Sequence, residues 1–340
     1  MFRQPTQIVV RGKAGFLIPH RSYMNHMVEG HTFGFEIDYQ IQTVGKKAWH
    51  RRYRLPQVGF TYNFYDFGNK PLLGTGHART TYVNMHLIKR PRFEMNFRTG
   101  LGLGYITKTF DRVENPKNLA VASHINANID LMLSFREQLG KKLYFSQSIQ
   151  MTHFSNASTK TPNLGLNIPS ISLGLGYRIL NPEVKVDTQH YEVNQKFTYS
   201  ILGLFGIKQV YPVGGVFYPI GGLRFYAQKM IGAKSGFGLG TDIIYNSSLK
   251  SYVRNYEVTP EKILQLGIMG HYALKLDELE FQFGVGAYLK NDVNENGWVY
   301  SRIGLQYAWK NGLLANLSLK THYAKADYFE IGIGYRFWKK

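Results

Sequence analysis

The stretch Thr32 to Ile41, TFGFEIDYQI, alternates without a break: Phe33, Phe35, Ile37, Tyr39 and Ile41 share one parity, and Thr32, Gly34, Glu36, Asp38 and Gln40 share the other. A period of two is the mark of a strand whose two faces meet different surroundings. One face is aromatic and aliphatic, the other small, polar and charged. The same alternation recurs in about sixteen segments between 7–18 and 327–338, among them 142–155, 168–179 and 197–209. Helical spacing is sustained nowhere.

The 340 residues include 35 Gly, 22 Phe, 24 Tyr and no Cys, and the formal net charge is +19 although only 19% of residues are charged. No apolar run approaches the roughly 18 residues that a membrane helix needs. Strands that show lipid only every second side chain dilute that signal, so the expectation is an all-β, antiparallel transmembrane β-barrel of about sixteen strands. Absence of Cys fits an exported chain that depends on neither disulfides nor metal thiolates. No leader of signal-peptide type opens the sequence, so the numbering is expected to be that of a mature chain. The positive charge implies an anionic partner or simple solvation of loops. Nucleic acid is not expected, because the basic residues are dispersed among strands instead of gathered on one element.

With the N-terminus on the periplasmic side, most descending segments end in tight turns such as Gln138-Leu139-Gly140-Lys141 and Lys310-Asn311-Gly312. Long connections at 108–120, 155–167 and 247–261 then lie outside, the usual barrel asymmetry. The exception is 42–56, whose Lys46, Lys47, Arg51, Arg52 and Arg54 read as headgroup contacts or solvation. An internal echo links SLGLGYRI (Ser172 to Ile179) with EIGIGYRF (Glu330 to Phe337), and the second resembles the C-terminal assembly signal of outer-membrane barrels. Two units, 1–180 and 181–340, follow from that echo. The inward-parity charges of the first unit balance, with Arg11, Lys13, Arg98 and Arg136 against Glu36, Asp38, Glu94 and Asp130. A narrow, self-filled barrel requires such pairing. Single even-stranded barrels of this size are nonetheless common, so one closed sixteen-stranded wall is the first expectation and two tandem eight-stranded barrels the alternative.

Gly100-Leu101-Gly102-Leu103-Gly104 is followed by a strand end and a polar loop, not by a helix N-terminus, so no dinucleotide site is read there. Inward glycines leave room in the lumen. The loop residues His20, His26 and His31 lack close ligand spacing, and no metal or cofactor is expected.

The segment Met151 to Asn167, MTHFSNASTKTPNLGLN, departs from plain wall. Leu143, Phe145, Ile149 and Met151 form a lipid-facing row that His153 and Ser155 continue to the outer end of a rising strand. A serine hydroxyl becomes a nucleophile when an imidazole takes its proton, and same-face positions two apart permit that exchange. Acyl transfer is the chemistry suggested. The alternative is a polar girdle in which both side chains merely meet headgroups.

His153-Phe154-Ser155-Asn156-Ala157, followed by Pro162-Asn163 and Gly165-Leu166-Asn167, resembles the active-site segment of the outer-membrane lipid A 3-O-deacylases, the PagL family. The likeness extends more loosely over the first half to Ile179. It implies an esterase of the bacterial outer membrane that removes an ester-linked acyl chain from lipid A of lipopolysaccharide. It further implies His153 as general base, Ser155 as nucleophile, and Asn156 with Ala157 as contributors to the oxyanion hole. Asn167 stands where the best-known members carry a glutamate that orients the histidine. An amide can hold an imidazole but brings no full charge to the imidazolium. Asp111 and Glu114 on a neighbouring connection are candidates to supply that charge. Lys108, Arg112, Lys117 and Lys160 are expected to hold lipid A phosphates or to be solvated loop residues. In the second half, Lys320-Thr321-His322-Tyr323-Ala324 echoes the dyad strand, but Ala324 replaces the serine and His322 has lumen parity. That half is therefore expected to be structural. The competing reading is a catalytically weak or inactive barrel, a pore or a scaffold in a membrane assembly whose protein partner is unknown.

Overall fold

The computed structural model describes residues 4–180, 196–253, 258–323 and 325–338. Its described strands run in order as β1 (Thr6–Gly15), β2 (Thr32–Gln42), β3 (Gln57–Asp66), β4 (Thr75–Lys89), β5 (Phe93–Ile106), β6 (Ile125–Gln138), β7 (Leu143–Ser155), β8 (Leu166–Leu180), β9 (Phe197–Gln209), β10 (Phe217–Met230), β11 (Ser235–Asn246), β12 (Leu264–Leu276), β13 (Leu279–Lys290), β14 (Val299–Ala308), β15 (Leu313–His322) and β16 (Lys325–Trp338). Every neighbouring pair is antiparallel. No helix among the described residues is long and apolar enough to cross a membrane.

Closure follows the tandem alternative. β1 pairs with both β2 and β8, and β9 pairs with both β10 and β16, so two eight-stranded barrels replace the single sixteen-stranded wall expected first. The compact units comprise 1–156 with 162–188, and 157–161 with 189–340. The physical reason lies in the filling of each lumen. Eight strands leave an interior just wide enough for side chains, and a dry interior tolerates ions only as neutralised sets.

In the first barrel Glu36 sits between Arg11 at 2.6 Å, Lys13 at 2.7 Å and Arg98 at 2.8 Å. Arg11 also meets Asp38 at 2.9 Å, and Arg98 meets Asp130 at 2.6 Å. Arg136 approaches Glu94 at 3.7 Å, so the pairs expected from parity do form. Glycines supply the space these long side chains need. A Cβ on Gly174 would meet Arg11 Cγ at 2.7 Å, and one on Gly176 would clash with Tyr144 Cζ. The second barrel is filled in the same manner, with Arg302 on Asp242 at 3.0 Å and on Glu330 at 2.5 Å, and Arg336 on Glu280 at 2.7 Å.

The outward rows are apolar. On β8, Ile171, Leu173, Leu175, Tyr177 and Ile179 are exposed, and on β16 so are Ile331, Ile333, Tyr335 and Phe337. Such a band on a closed wall is the surface of a membrane barrel. The 42–56 connection holds one short helix, Ala48–Arg52.

The outer end of the first barrel has its own apolar core. Leu17, Met24, Met27, Tyr65, Phe67, Leu73, Ile106, Val121, Phe154, Leu166 and Ile168 cluster there, drawn from strand ends and the connections above them. Phe154 packs edge-on against Tyr65 and Phe67, with centroids 5.7 and 6.0 Å apart. It is the residue between His153 and Ser155, which share the opposite parity; His153 is half-buried and Ser155 is buried.

Candidate active site

Strand register sets the site. On β7 the burial alternates so that Tyr144, Ser146, Ser148, Gln150, Thr152 and Phe154 are buried, while His153 continues the outward row of Ile149 and Met151. Ser155 lies two positions on, roughly 7 Å along the strand on the same parity. Across β8, His153 pairs directly with Asn167, and Phe154 pairs with Leu166. Directly opposed residues place their Cβ atoms about 5 Å apart, within reach of short polar side chains.

That reach is used. The Nδ1–H of His153 donates to Asn167 Oδ1 at 2.6 Å, the place a carboxylate takes in a serine triad. The Ser155 hydroxyl oxygen accepts from Asn163 Nδ2 at 2.9 Å, and Asn163 Oδ1 in turn accepts from the Asn156 backbone N–H at 3.0 Å. The Asn156 side chain donates to Ser123 Oγ at 2.8 Å. Ala157 is buried and has a positive φ of 49°, followed by Ser158 at 61°, which turns the chain sharply after Ser155.

Gly165 closes the site from the other side. Its φ is +78°, and a Cβ there would stand 2.8 Å from His153 Cε1. Glycine is required by conformation and by close approach together. The loop is tied down by Gly165 N–H to Ala120 O at 2.8 Å and Leu164 N–H to Leu119 O at 3.3 Å.

Of the alternative acids, Asp111 is engaged in its own turn. Asp111 Oδ1 accepts from the backbone N–H groups of Val113 at 2.8 Å and Glu114 at 2.9 Å, capping its own turn. Lys108, Arg112, Lys117 and Lys160 are all exposed, and Lys108 Nζ donates to Pro71 O at 3.1 Å. His26 Nε2 bonds the Lys117 carbonyl oxygen at 2.8 Å. In the second barrel His322 is interior, with Nε2 3.0 Å from Tyr288 OH and Nδ1 3.3 Å from Asp327. Ala324 lies outside the described residues.

The family model described as lipid A 3-O-deacylase (PagL) matches residues 33–178. The first barrel belongs to the PagL family. The model for the C-terminal domain of acyloxyacyl hydrolase (PagL_C) matches residues 197–340. Among solved structures, that of the outer membrane enzyme PagL is 16% identical, with a TM-score of 0.34, over 50% of this chain and 99% of its own. A porin mutant of Rhodopseudomonas blastica is 8% identical with a TM-score of 0.18, over 98% of this chain and 99% of its own. Omp33 of Acinetobacter baumannii is 8% identical with a TM-score of 0.18, over 99% of each chain. Among curated proteins none matches.

In this PagL-family barrel the structure joins His153 to Asn167 and, separately, through Asn163, the Ser155 hydroxyl to the Asn156 backbone N–H; His153 and Ser155 are two positions apart on one strand. Three participants carried no assigned role in the sequence reading. Asn163 and Gly165 lie inside the segment that resembles the family. His20, 147 positions from Asn167, accepts from Asn167 Nδ2 at 3.1 Å and has no local signal that could have revealed it.

Proposed function

We propose that the PagL-family barrel is an esterase of the bacterial outer membrane that removes an ester-linked acyl chain from lipid A of lipopolysaccharide. The observation that carries this reading is the 2.6 Å contact of His153 Nδ1 with Asn167 Oδ1, beside a serine on the same outward row. With the proton held at Nδ1, Nε2 presents a lone pair. It takes the Ser155 proton as Oγ attacks the acyl carbonyl carbon, and the carbonyl electron pair moves onto oxygen. Collapse breaks the bond to the sugar oxygen, which leaves with the proton returned from Nε2. Water activated by the same nitrogen then releases the fatty acid and regenerates Ser155. The reaction as written consumes only water.

The oxyanion is assigned to the turn at Asn156 and Ala157. At rest the Asn156 N–H is held by an amide oxygen, so a developing anion exchanges with Asn163 Oδ1. The outward neighbours suit an acyl chain. Ile129 and Ala127 on β6 stand opposite His153 and Ser155, and Leu101 and Leu103 on β5 follow in the same rows. Lys108, Arg112, Lys117 and Lys160 are assigned to the phosphates, as exposed cations on connections outside the wall. The second barrel is assigned a structural role, because its echo of the dyad histidine, His322, is buried in the lumen.

Mass spectrometry of lipid A from cells with and without the protein tests this function. Wild type should yield lipid A lighter by one acyl chain. Ser155→Ala should abolish that change while keeping heat-modifiable migration of the folded barrel, since one hydroxyl is lost and no core contact. Unaltered lipid A in wild-type cells overturns the function, and full deacylation by Ser155→Ala removes the serine from it.

A further inference from the structure

An amide in the orienting position has two unlike ends. Asn167 supports a basic Nε2 on His153 only when Oδ1 faces Nδ1. A half-turn of the amide would present Nδ2–H instead, and Nδ1 would then have to accept, with the proton moved to Nε2 and the lone pair lost from the Ser155 side. The two amide orientations have the same shape, so packing does not choose between them. A carboxylate, with two accepting oxygens, never poses this problem.

The partner on the far side of Asn167 is an imidazole nitrogen: His20 Nδ1 lies 3.1 Å from Asn167 Nδ2. His20 is exposed, and with its proton on Nε2 its Nδ1 accepts and pairs only with the N–H end of the amide. Backbone bonds hold His20 there. Beyond the end of β1 the ladder to β8 continues, with Phe16 N–H to Pro169 O at 3.3 Å and Ile18 N–H to Asn167 O at 2.9 Å. The His20 N–H then donates to Ile18 O at 3.0 Å, and Leu17 is buried in the outer core. The connection after β1 is thus registered on the very residue whose side chain it contacts.

We propose that His20 is a positioning residue of this site: by accepting from Asn167 Nδ2 it holds the amide with Oδ1 toward His153 and so sets the His153 tautomer. Its effect on turnover rests on the deacylase function proposed above; its effect on the tautomer does not. His20 touches neither substrate nor Ser155 in this role. It replaces with a second hydrogen bond the orientation that a carboxylate has by symmetry.

Two measurements on the full-length protein test the proposal. The first is deacylation of purified lipid A in detergent. His20→Ala should lower kcat several-fold, roughly the worth of one neutral hydrogen bond, with KM unchanged. His20→Asn should restore it, because Asn Oδ1 stands where His Nδ1 stood. In an Asn167→Asp background, His20→Ala should have no effect, since either carboxylate oxygen accepts from His153. The second is the imidazole nitrogen chemical shifts of His153, which report the protonated nitrogen with or without turnover. Wild type and His20→Asn should carry the proton on Nδ1, and His20→Ala should shift population to Nε2. An unchanged His153 tautomer in His20→Ala overturns the proposal, as does an equal loss of kcat in the Asn167 and Asn167→Asp backgrounds. If wild type leaves lipid A intact, the deacylase function fails, and the nitrogen shifts still decide the role of His20.

Discussion

Asn167 is the residue on which the proposed chemistry turns. Its Oδ1 takes the Nδ1–H of His153 at 2.6 Å, whereas Asp111 spends its Oδ1 on two backbone N–H groups of its own turn. Losing the orienting partner of a catalytic histidine, or the correct tautomer, can cost about four orders of magnitude in turnover. Asn167→Ala should therefore lower kcat by about two to four orders of magnitude. Asn167→Asp should preserve or raise it, because the carboxylate adds charge to face the imidazolium. Asp111→Asn and Glu114→Gln should leave it unchanged. Single-turnover rates on purified lipid A measure all four. Equal rates for wild type and Asn167→Ala would show that no third member operates. The histidine and the serine drew notice in the sequence because they share a strand parity at the end of an apolar row, and the amide did so only through the likeness of segment 153–167 to the PagL family. No role was legible for Asn163 and His20, since an amide that bridges a hydroxyl to a backbone N–H, or one loop to another, leaves no periodic trace.

At the scale of elements, the site is a product of the β7–β8 pair and the connection between them. Antiparallel pairing puts Asn167 opposite His153, and the next pair along the strands, the buried Phe154 and Leu166, keeps the two polar residues on the outer face. A slip of one residue would turn both inward and destroy the site without altering the sequence of either strand. The connection contributes through Gly165, whose positive φ and 2.8 Å approach to the His153 ring leave no room for a side chain. Gly165→Ala should fold, since strand pairing and the ion clusters are untouched, but should displace the imidazole and reduce kcat strongly. Heat-modifiable migration and lipid A turnover, read on the same preparation, check this. Full turnover would mean that His153 does not sit as described. Strand positions were read well from alternation: 57–66 and 197–209, for example, coincide with Gln57–Asp66 and Phe197–Gln209. The short helices Ala48–Arg52 and Lys70–Leu73 were not read, because one helical turn has too few residues to display a period.

On the scale of the whole molecule, two barrels of equal strand number differ in what their walls present. The first places His153 on its outward row, and the second buries His322 against Tyr288 and Asp327 in its lumen. Restoring a serine at the corresponding place, Ala324→Ser in a Ser155→Ala background, should therefore not restore deacylation, because an interior imidazole cannot meet a lipid ester. Recovery of activity in that double variant, measured on lipid A by mass spectrometry, would overturn the division of roles. Alternation by itself determined that the chain is an antiparallel membrane barrel, where nearly every strand lies and that His153 and Ser155 share the parity of the outward row, because in and out are local properties of a pleated chain. It also indicated balanced lumen charges, Arg11, Lys13 and Arg98 against Glu36, Asp38 and Asp130, which the structure joins in direct pairs. What it did not decide is closure, since a strand carries the same pattern whether β1 bonds to β8 or to β16. Only the tertiary structure chose β8, and only that closure continues the ladder past Gly15 and sets His20 beside Asn167, through contacts between residues that chain order keeps far apart.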